Sequence, residues 1–208
     1  MAISPSNNVL ITLDEAKAHL EIPATNTNFD DKVQILINAC SDSIANYCKR
    51  ILVTNTNTEF RDGRKGNMFV LKQYPINSIT SVYQDNTAQY SGEEEEVDST
   101  EYAIDDSKTT IYFSSVAPRG FKNIRIIYES GLGTAVGDDL PWALRYACMD
   151  YVKWLYKSDN DDRIGVSSKS KAGEQVTFTL DIPDHIQTIL EPFVNTDLAQ
   201  ADSGLYNG

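Results

Sequence analysis

At 208 residues, 41% hydrophobic and 23% charged, the chain has the size of one domain with an insertion or of two small ones, and its composition excludes wholesale disorder. Thirty acidic residues against 18 Lys plus Arg leave a formal charge of -12, which repels phosphate and argues against gripping nucleic acid or an anionic membrane. No stretch approaches the ~20 apolar residues of a membrane span, and the first ten residues lack the basic and apolar regions of a signal peptide.

Thr12 and Glu15 have the spacing of a capping box, in which the hydroxyl accepts from the third helical N–H and the carboxylate returns a bond to the capping residue. The helix they open is short, with Leu13, Ala16 and Leu20 on one face and Pro23 ending it. Asp30 and Asp31 then supply an acidic first turn for a second helix. Along it Val33, Leu36, Ile37, Cys40, Ile44, Tyr47, Cys48 and Ile51 recur at intervals of three and four, so this helix is the spine of a body. Gln34, Asn38, Asp42, Asn46 and Lys49 fall on a face able to meet water.

From Thr54 the texture turns β-branched and aromatic, predicting strands over 58–61, 68–71, 79–84, 102–104, 110–113 and 123–128 in a small antiparallel sheet or barrel. The run Glu93, Glu94, Glu95, Glu96 repels itself and predicts a solvated loop over 91–100. Asp138, Asp139 and Pro141 mark the start of a third helix carrying Leu144, Ala147, Cys148, Tyr151, Val152, Leu155 and Tyr156. A polar loop over 158–173 follows, with Lys157, Arg163, Lys169 and Lys171 giving it local positive charge. Val176, Phe178, Leu180 and Ile182 alternate with polar residues as a half-buried strand does. Pro183 opens a last short helix that Pro192 ends, and beyond Val194 the tail is too polar to form a core.

The fold class is therefore α+β, a small helical bundle body with an inserted antiparallel β subdomain and a C-terminal extended arm. The divisions fall at 1–53 for the N-terminal helical part, 54–130 for the insertion, 131–194 for the segment completing the body, and 195–208 for a flexible tail.

Reactive chemistry is sparse. His19 and His185 stand far apart in sequence without a neighbouring His or Cys at ligand spacing, and no acidic pair continues into the DxDxDG pattern of a calcium loop. Cys40, Cys48 and Cys148 show no CxxC spacing and read as free buried thiols. Gly131-Leu132-Gly133 begins like a phosphate-cradling loop, but Val136 replaces its third glycine and acids follow. No catalytic residue, metal ligand or cofactor site is expected, and the chain is not expected to be an enzyme. The cluster Trp142, Tyr146, Tyr151, Trp154 and Tyr156 exceeds what one narrow core stripe needs, and reads as core plus rim or as a partner surface.

The order of phrases resembles the head-to-tail connector, or adaptor, proteins of tailed bacteriophages and related prophages. The resemblance rests on Ile11-Thr12-Leu13-Asp14-Glu15-Ala16-Lys17, on Ile44 to Arg50, on Tyr74-Pro75-Ile76 with Ser78-Ile79, on Asn123 to Tyr128, on Leu140-Pro141 leading to Leu155-Tyr156, and on Ile182-Pro183 before Leu190-Glu191-Pro192-Phe193. The acidic insertion around Glu93 and the terminal tail have no counterpart in it.

The resemblance implies a structural virion protein at the head-tail interface, made in the host cytoplasm. It implies a ring, usually of twelve copies, that docks on the portal, extends the DNA channel and gives a platform to the next neck or tail protein. Packaged DNA would only pass through. On this reading Trp142, Tyr146, Trp154, Tyr156, Val176, Phe178 and Leu180 are candidates for the subunit interface. Pro192, Phe193, Val194, Leu198, Leu205 and Tyr206 are candidates for the portal contact, and Arg163, Lys169 and Lys171 for a basic loop facing the channel or an acidic neighbour. The rival readings are a tail completion or terminator subunit, and a carbohydrate- or protein-binding module.

Overall fold

The computed structural model describes residues 3–63, 66–85, 94–136, 139–160, 169–171, 174–176 and 182–195. In chain order the elements are α1 (Leu13–His19), α2 (Asp30–Cys48), β1 (Asn55–Gly63), β2 (Met68–Val70), β3 (Ile76–Gln84), β4 (Glu95–Glu96), β5 (Tyr102–Ile104), β6 (Thr110–Phe113), β7 (Gly120–Ser130), α3 (Trp142–Asn160), β8 (Lys169–Lys171), β9 (Glu174–Val176) and α4 (Asp184–Leu190). They form two compact units, Met1–Leu52 with Gly133–Gly208, and Val53–Leu132. The α+β layout of a helical body and an antiparallel β insertion is thus the fold of the chain.

In the helical unit α1 opens with the expected capping box. The apolar stripe of α2 is buried through Val33, Ile37, Cys40, Ile44 and Cys48, as are Leu144, Ala147, Cys148, Tyr151 and Val152 of α3 and Ile186 and Leu190 of α4, and α3 packs against both α2 and α4. Helix α2 stops where Lys49 turns left-handed, at φ 54, and the Asn195 N–H then donates to the Cys48 carbonyl at 2.8 Å.

The polar side of α2 departs from expectation. The Ile3, Ser6 and Leu10 N–H groups donate to Asp31 Oδ1 at 3.0 Å, Asn38 Oδ1 at 3.1 Å and Ser41 Oγ at 3.1 Å, so the N-terminal segment lies strapped along the helix. Gln34 is buried rather than wetted, donating to Asn38 Oδ1 at 3.0 Å. The strap needs these acceptors because an extended chain on a helix has no ladder of its own to satisfy its N–H groups.

Two further boundaries move. Helix α3 continues to Asn160, into the expected loop, and the Ser158 hydroxyl donates to the Trp154 carbonyl at 2.9 Å. The rest of that loop holds β8, paired antiparallel with β9 through Lys169 opposite Val176. The strand expected over 176–182 has Val176 as the end of β9 and Ile182 outside any strand, and 177–181 lie outside the described residues. Alternation reports which face a residue takes, and says nothing of where its pairing partner begins.

In the β unit one sheet runs β1-β7-β3-β4 and a second β2-β6-β5, all pairs antiparallel. Leu71, Ile76, Val82, Ile111, Phe113, Ile124, Ile126 and Tyr128 make its core, with Phe69, Val97, Tyr102 and Ile104 packed around it. Asn55 pairs with Ser130, so the chain enters and leaves the unit on neighbouring strands. Just beyond, Gly131 has φ 133, and a Cβ there would lie 2.6 Å from Thr54 Cα. Backbone geometry, not a phosphate, accounts for that glycine.

The acidic stretch is only partly a solvated loop. Glu95 and Glu96 pair with Gln84 and Tyr83, Glu94 binds Arg125 at 2.5 Å, and Val97 reaches the core. A cation within reach and an apolar anchor offset the self-repulsion on which the expectation rested; 91–93 lie outside the described residues.

Candidate functional site

At its N-terminal end α3 presents Trp142, 68% exposed, and one turn later Tyr146, 49% exposed. Neither ring is loose. The Arg145 guanidinium carbon lies 4.3 Å from the Trp142 ring centroid, a cation–π distance. Arg145 itself is buried, its Nε donating to Glu15 Oε1 at 3.0 Å and its Nη2 donating to the same oxygen. Glu15 Oε2 meanwhile accepts the Thr12 N–H and hydroxyl, each at 2.8 Å. One carboxylate therefore closes the capping box of α1 and fixes the arginine beneath the indole. Burial opposes ionisation of Glu15, but the Thr12 bonds and Arg145 outweigh it and hold the carboxyl below its usual range.

Tyr146 packs edge-on against His19 of α1, with centroids 6.1 Å apart. His19 Nε2 is 3.9 Å from Asp150 Oδ1, and His185 Nε2 of α4 is 2.9 Å from Asp150 Oδ2. The two histidines, remote in sequence, thus converge on one α3 carboxylate. Among the described residues no group of three or more His, Cys, Asp or Glu side chains is arranged to hold a metal ion.

Helices α2 and α3 run antiparallel. Ser41 Oγ is 3.7 Å from Cys148 Sγ, while Lys32 Nζ is 4.9 Å from the Tyr156 ring centroid. Tyr156 and Trp154 are half-buried within their own unit, Trp154 tilted against Tyr151 at 6.1 Å. Of the aromatic candidates on α3, Trp142 and Tyr146 face outward and the other two partly inward.

At the C-terminal end Pro192 is exposed and Phe193 and Val194 half-buried. Lys169 and Lys171 lie in β8 and Val176 in β9. Arg163, Phe178, Leu180, Leu198, Leu205 and Tyr206 lie outside the described residues.

The remaining chemical candidates resolve into structure. All three cysteines are free and buried, and burial pushes the thiols up, Cys48 to about 11 and Cys148 to about 12. Asp30 and Asp31 do occupy the first turn of α2. Asp139 does not reach the first turn of α3; its Oδ1 accepts the Thr134 N–H at 2.6 Å, which closes the preceding loop and draws its pKa down.

Sequence reasoning missed Lys17, 2% exposed, whose ammonium donates to the Ala24 carbonyl at 3.0 Å, the Asn26 carbonyl at 2.9 Å and Asp30 Oδ1 at 2.6 Å. It missed Arg145 and Asp150 as well. A signal existed: Lys17 stands four residues after Leu13 and three before Leu20, and Arg145 three before Cys148. A charge on an apolar stripe must bring its partner with it.

The chain belongs to the head completion protein family, which matches it over residues 9–196. It is a structural component of the head-tail junction of a virion. Its fold recurs in the solved structure "Neck of empty GTA particle computed with C6 symmetry", at TM-score 0.63 and 16% identity over 94% of this chain and 95% of that one. The "Virion of native gene transfer agent (GTA) particle" gives 0.60 and 14% over 94% and 95%, and the "Neck of native GTA particle computed with C12 symmetry" 0.61 and 15% over 94% of each. No curated protein matches the chain by sequence. Among the described residues no helix is long and apolar enough to cross a membrane.

Proposed function

We propose that copies of this chain form a ring that docks on the portal, continues the channel through which DNA passes, and offers a platform to the next neck or tail protein. The family match over 9–196 carries this reading, and a fold shared nearly end to end with chains of two GTA necks supports it. Twelve copies fit the symmetries used for those necks, since a twelvefold ring satisfies both C12 and C6. The formal charge of -12 suits a wall that DNA passes without sticking.

In this ring 1–53 and 131–194 build the body and 54–130 decorates it or meets the next component. Trp142 and Tyr146 lead the subunit contact, with Trp154, Tyr156, Val176, Phe178 and Leu180 behind them. The β8–β9 pair has three residues in each strand, too little to stand alone, so it gains by joining a further strand, with Arg163, Lys169 and Lys171 toward the channel or an acidic neighbour. Pro192, Phe193 and Val194 lead into the tail, where Leu198, Leu205 and Tyr206 seat on the portal. The chain is made in the host cytoplasm and ends in the virion.

Electron microscopy of the purified chain, alone and mixed with its portal, tests the reading. A ring coaxial with the portal is expected; monomers that ignore the portal would refute it. Truncation after Asn195, which keeps the bond to Cys48, should leave the helical signal intact and abolish docking, and a truncated chain that still docks rules the tail out as the portal contact.

A further inference from the structure

In the β unit the edges of the two sheets lie together in pairs. On one flank β1 adjoins β2: Arg61 Nη2 donates to the Val70 carbonyl at 2.6 Å, and Glu59 Oε1 accepts the Lys72 N–H at 2.8 Å. On the other β4 adjoins β5. The Val97 N–H continues β4 by donating to the Val82 carbonyl at 2.9 Å, and burial raises the pKa of Tyr102 at the start of β5, with Glu96 and Asp98 close enough to add to the rise. In the larger sheet β7 and β3 separate the two flanks, three strand spacings or roughly 14 Å.

These flanks carry opposite charge. Beside β1 and β2 stand Arg61 and Lys72, with Arg119 just before β7 and Lys122 at its start, where the Ala117 N–H donates to the Gly66 carbonyl at 3.1 Å and the Lys122 N–H to Asp62 Oδ1 at 2.7 Å. The acids there are Asp62 and Glu59, and Glu59 is buried against Arg61 and the Tyr128 hydroxyl. Beside β4 and β5 stand Glu94, Glu95, Glu96, Asp98 and Glu101, with Asp85 one strand in. Among the described residues the cations on that side are Arg125, engaged by Glu94, and Lys108, which shares the turn at the far end of β5 with Asp105 and Asp106.

Apolar surface follows the same division. Met68, Val70, Tyr112, Val116 and Phe121, between 43% and 71% exposed, lie on the basic flank and the loop beside it, with Met68 opposite Tyr112 in register. The acidic flank has Val97, Tyr102 and Ile104 half-buried beside its carboxylates. One unit thus bears an apolar patch with a basic rim and, across the sheet, apolar side chains with an acidic rim. A ring closes through contacts in which one face of a subunit meets a different face of the next, and opposite potentials fix which faces those are.

We propose that the β1–β2 flank of one copy seats on the β4–β5 flank of the next, so that the β unit adds a contact of its own to the ring. This rests on the ring reading and extends it from the helical body to the insertion.

The test uses two charge-reversed forms of the full chain at low ionic strength, where surface charges are least screened. The first carries Arg119→Glu with Lys122→Glu and the second Glu95→Lys with Glu96→Lys, all four residues being exposed. Circular dichroism checks folding and native mass spectrometry counts copies; should either form misfold, Lys72→Glu and Glu101→Lys, also exposed, take its place. The wild type should form oligomers as concentration rises, alone or on its portal, and each form by itself should need at least tenfold more protein, since its two flanks then carry the same sign. Mixed in equal amounts, the two forms should assemble again near the wild-type concentration, in complexes holding equal numbers of both. Net repulsion alone predicts otherwise, because the second form is closer to neutral than the wild type and would assemble more readily. Either form assembling as readily as the wild type, or a mixture that stays apart, overturns the pairing and leaves the ring standing. A wild type that stays monomeric both alone and with its portal overturns the ring, and the pairing with it.

Discussion

Helix α1 is tied into one unit through buried charge, while strand meets strand in the other around a mainly aliphatic core. In the helical unit Lys17 ties α1 to the turn before α2, and Glu15 with Arg145 ties α1 to α3. In the β unit Ile76, Val82, Ile111, Ile124 and Ile126 enclose a polar node, in which the Tyr128 hydroxyl donates to Glu59 Oε1 and the Lys72 N–H donates to the same oxygen at 2.8 Å. Apolar packing is non-directional, whereas hydrogen-bonded ion pairs fix angles. The unit whose α1 is locked by directional pairs is also the one that presents Trp142 and Tyr146 in fixed attitudes.

The largest expected effect tests the β side of that contrast. Ile126→Ala removes a fully buried side chain and should cost the β unit about 3 to 4 kcal/mol. Thermal melts should show the strand signal failing first while ellipticity at 222 nm persists, and one shared transition would break the division. Next, Lys17→Met leaves Asp30 and two carbonyls without their ammonium and should cost about 3 kcal/mol in urea unfolding. A neutral outcome would mean that the buried charge in the helical unit is dispensable. Smaller still, Tyr128→Phe deletes a buried donor and should cost about 1 to 2 kcal/mol, read in the same way.

Acid should separate the units too. Glu15 has its folded pKa depressed, so its contribution is present above the unfolded value, about 4.3, and is lost as pH falls through the folded value. The destabilisation caused by Glu15→Gln should therefore shrink below pH 4, and a penalty constant from pH 7 to pH 3 would contradict the assignment. Smallest of all is an effect on reactivity. With burial raising Cys48 to about 11 and Cys148 to about 12, the native chain should resist thiol alkylation at pH 8 and become labelled only on unfolding, as mass spectrometry would count.

Local physics made much of this legible. Thr12 and Glu15 announce α1 because a capping box closes within four residues, and the stripe from Val33 to Cys48 announces α2 because its period is its packing face. Strands β2, β5 and β6 follow from β-branched and aromatic runs. Two-residue β4 was hidden by a charge run whose counter-ion, Arg125, stands 31 residues from Glu94. Glu15 with Arg145, and His19 and His185 with Asp150, pair residues from different helices, which no window of sequence spans. The family resemblance was legible as an order of phrases; that Trp142 and Tyr146 face outward while Trp154 and Tyr156 are half-buried required the packing.

Assembly on the portal is the centre of the account, and its most direct test is the mass of the complex. Native mass spectrometry of the full chain with its portal should show the portal gaining twelve copies of 23.2 kDa in a single species. A portal that gains no mass, or gains single copies one at a time, would contradict it.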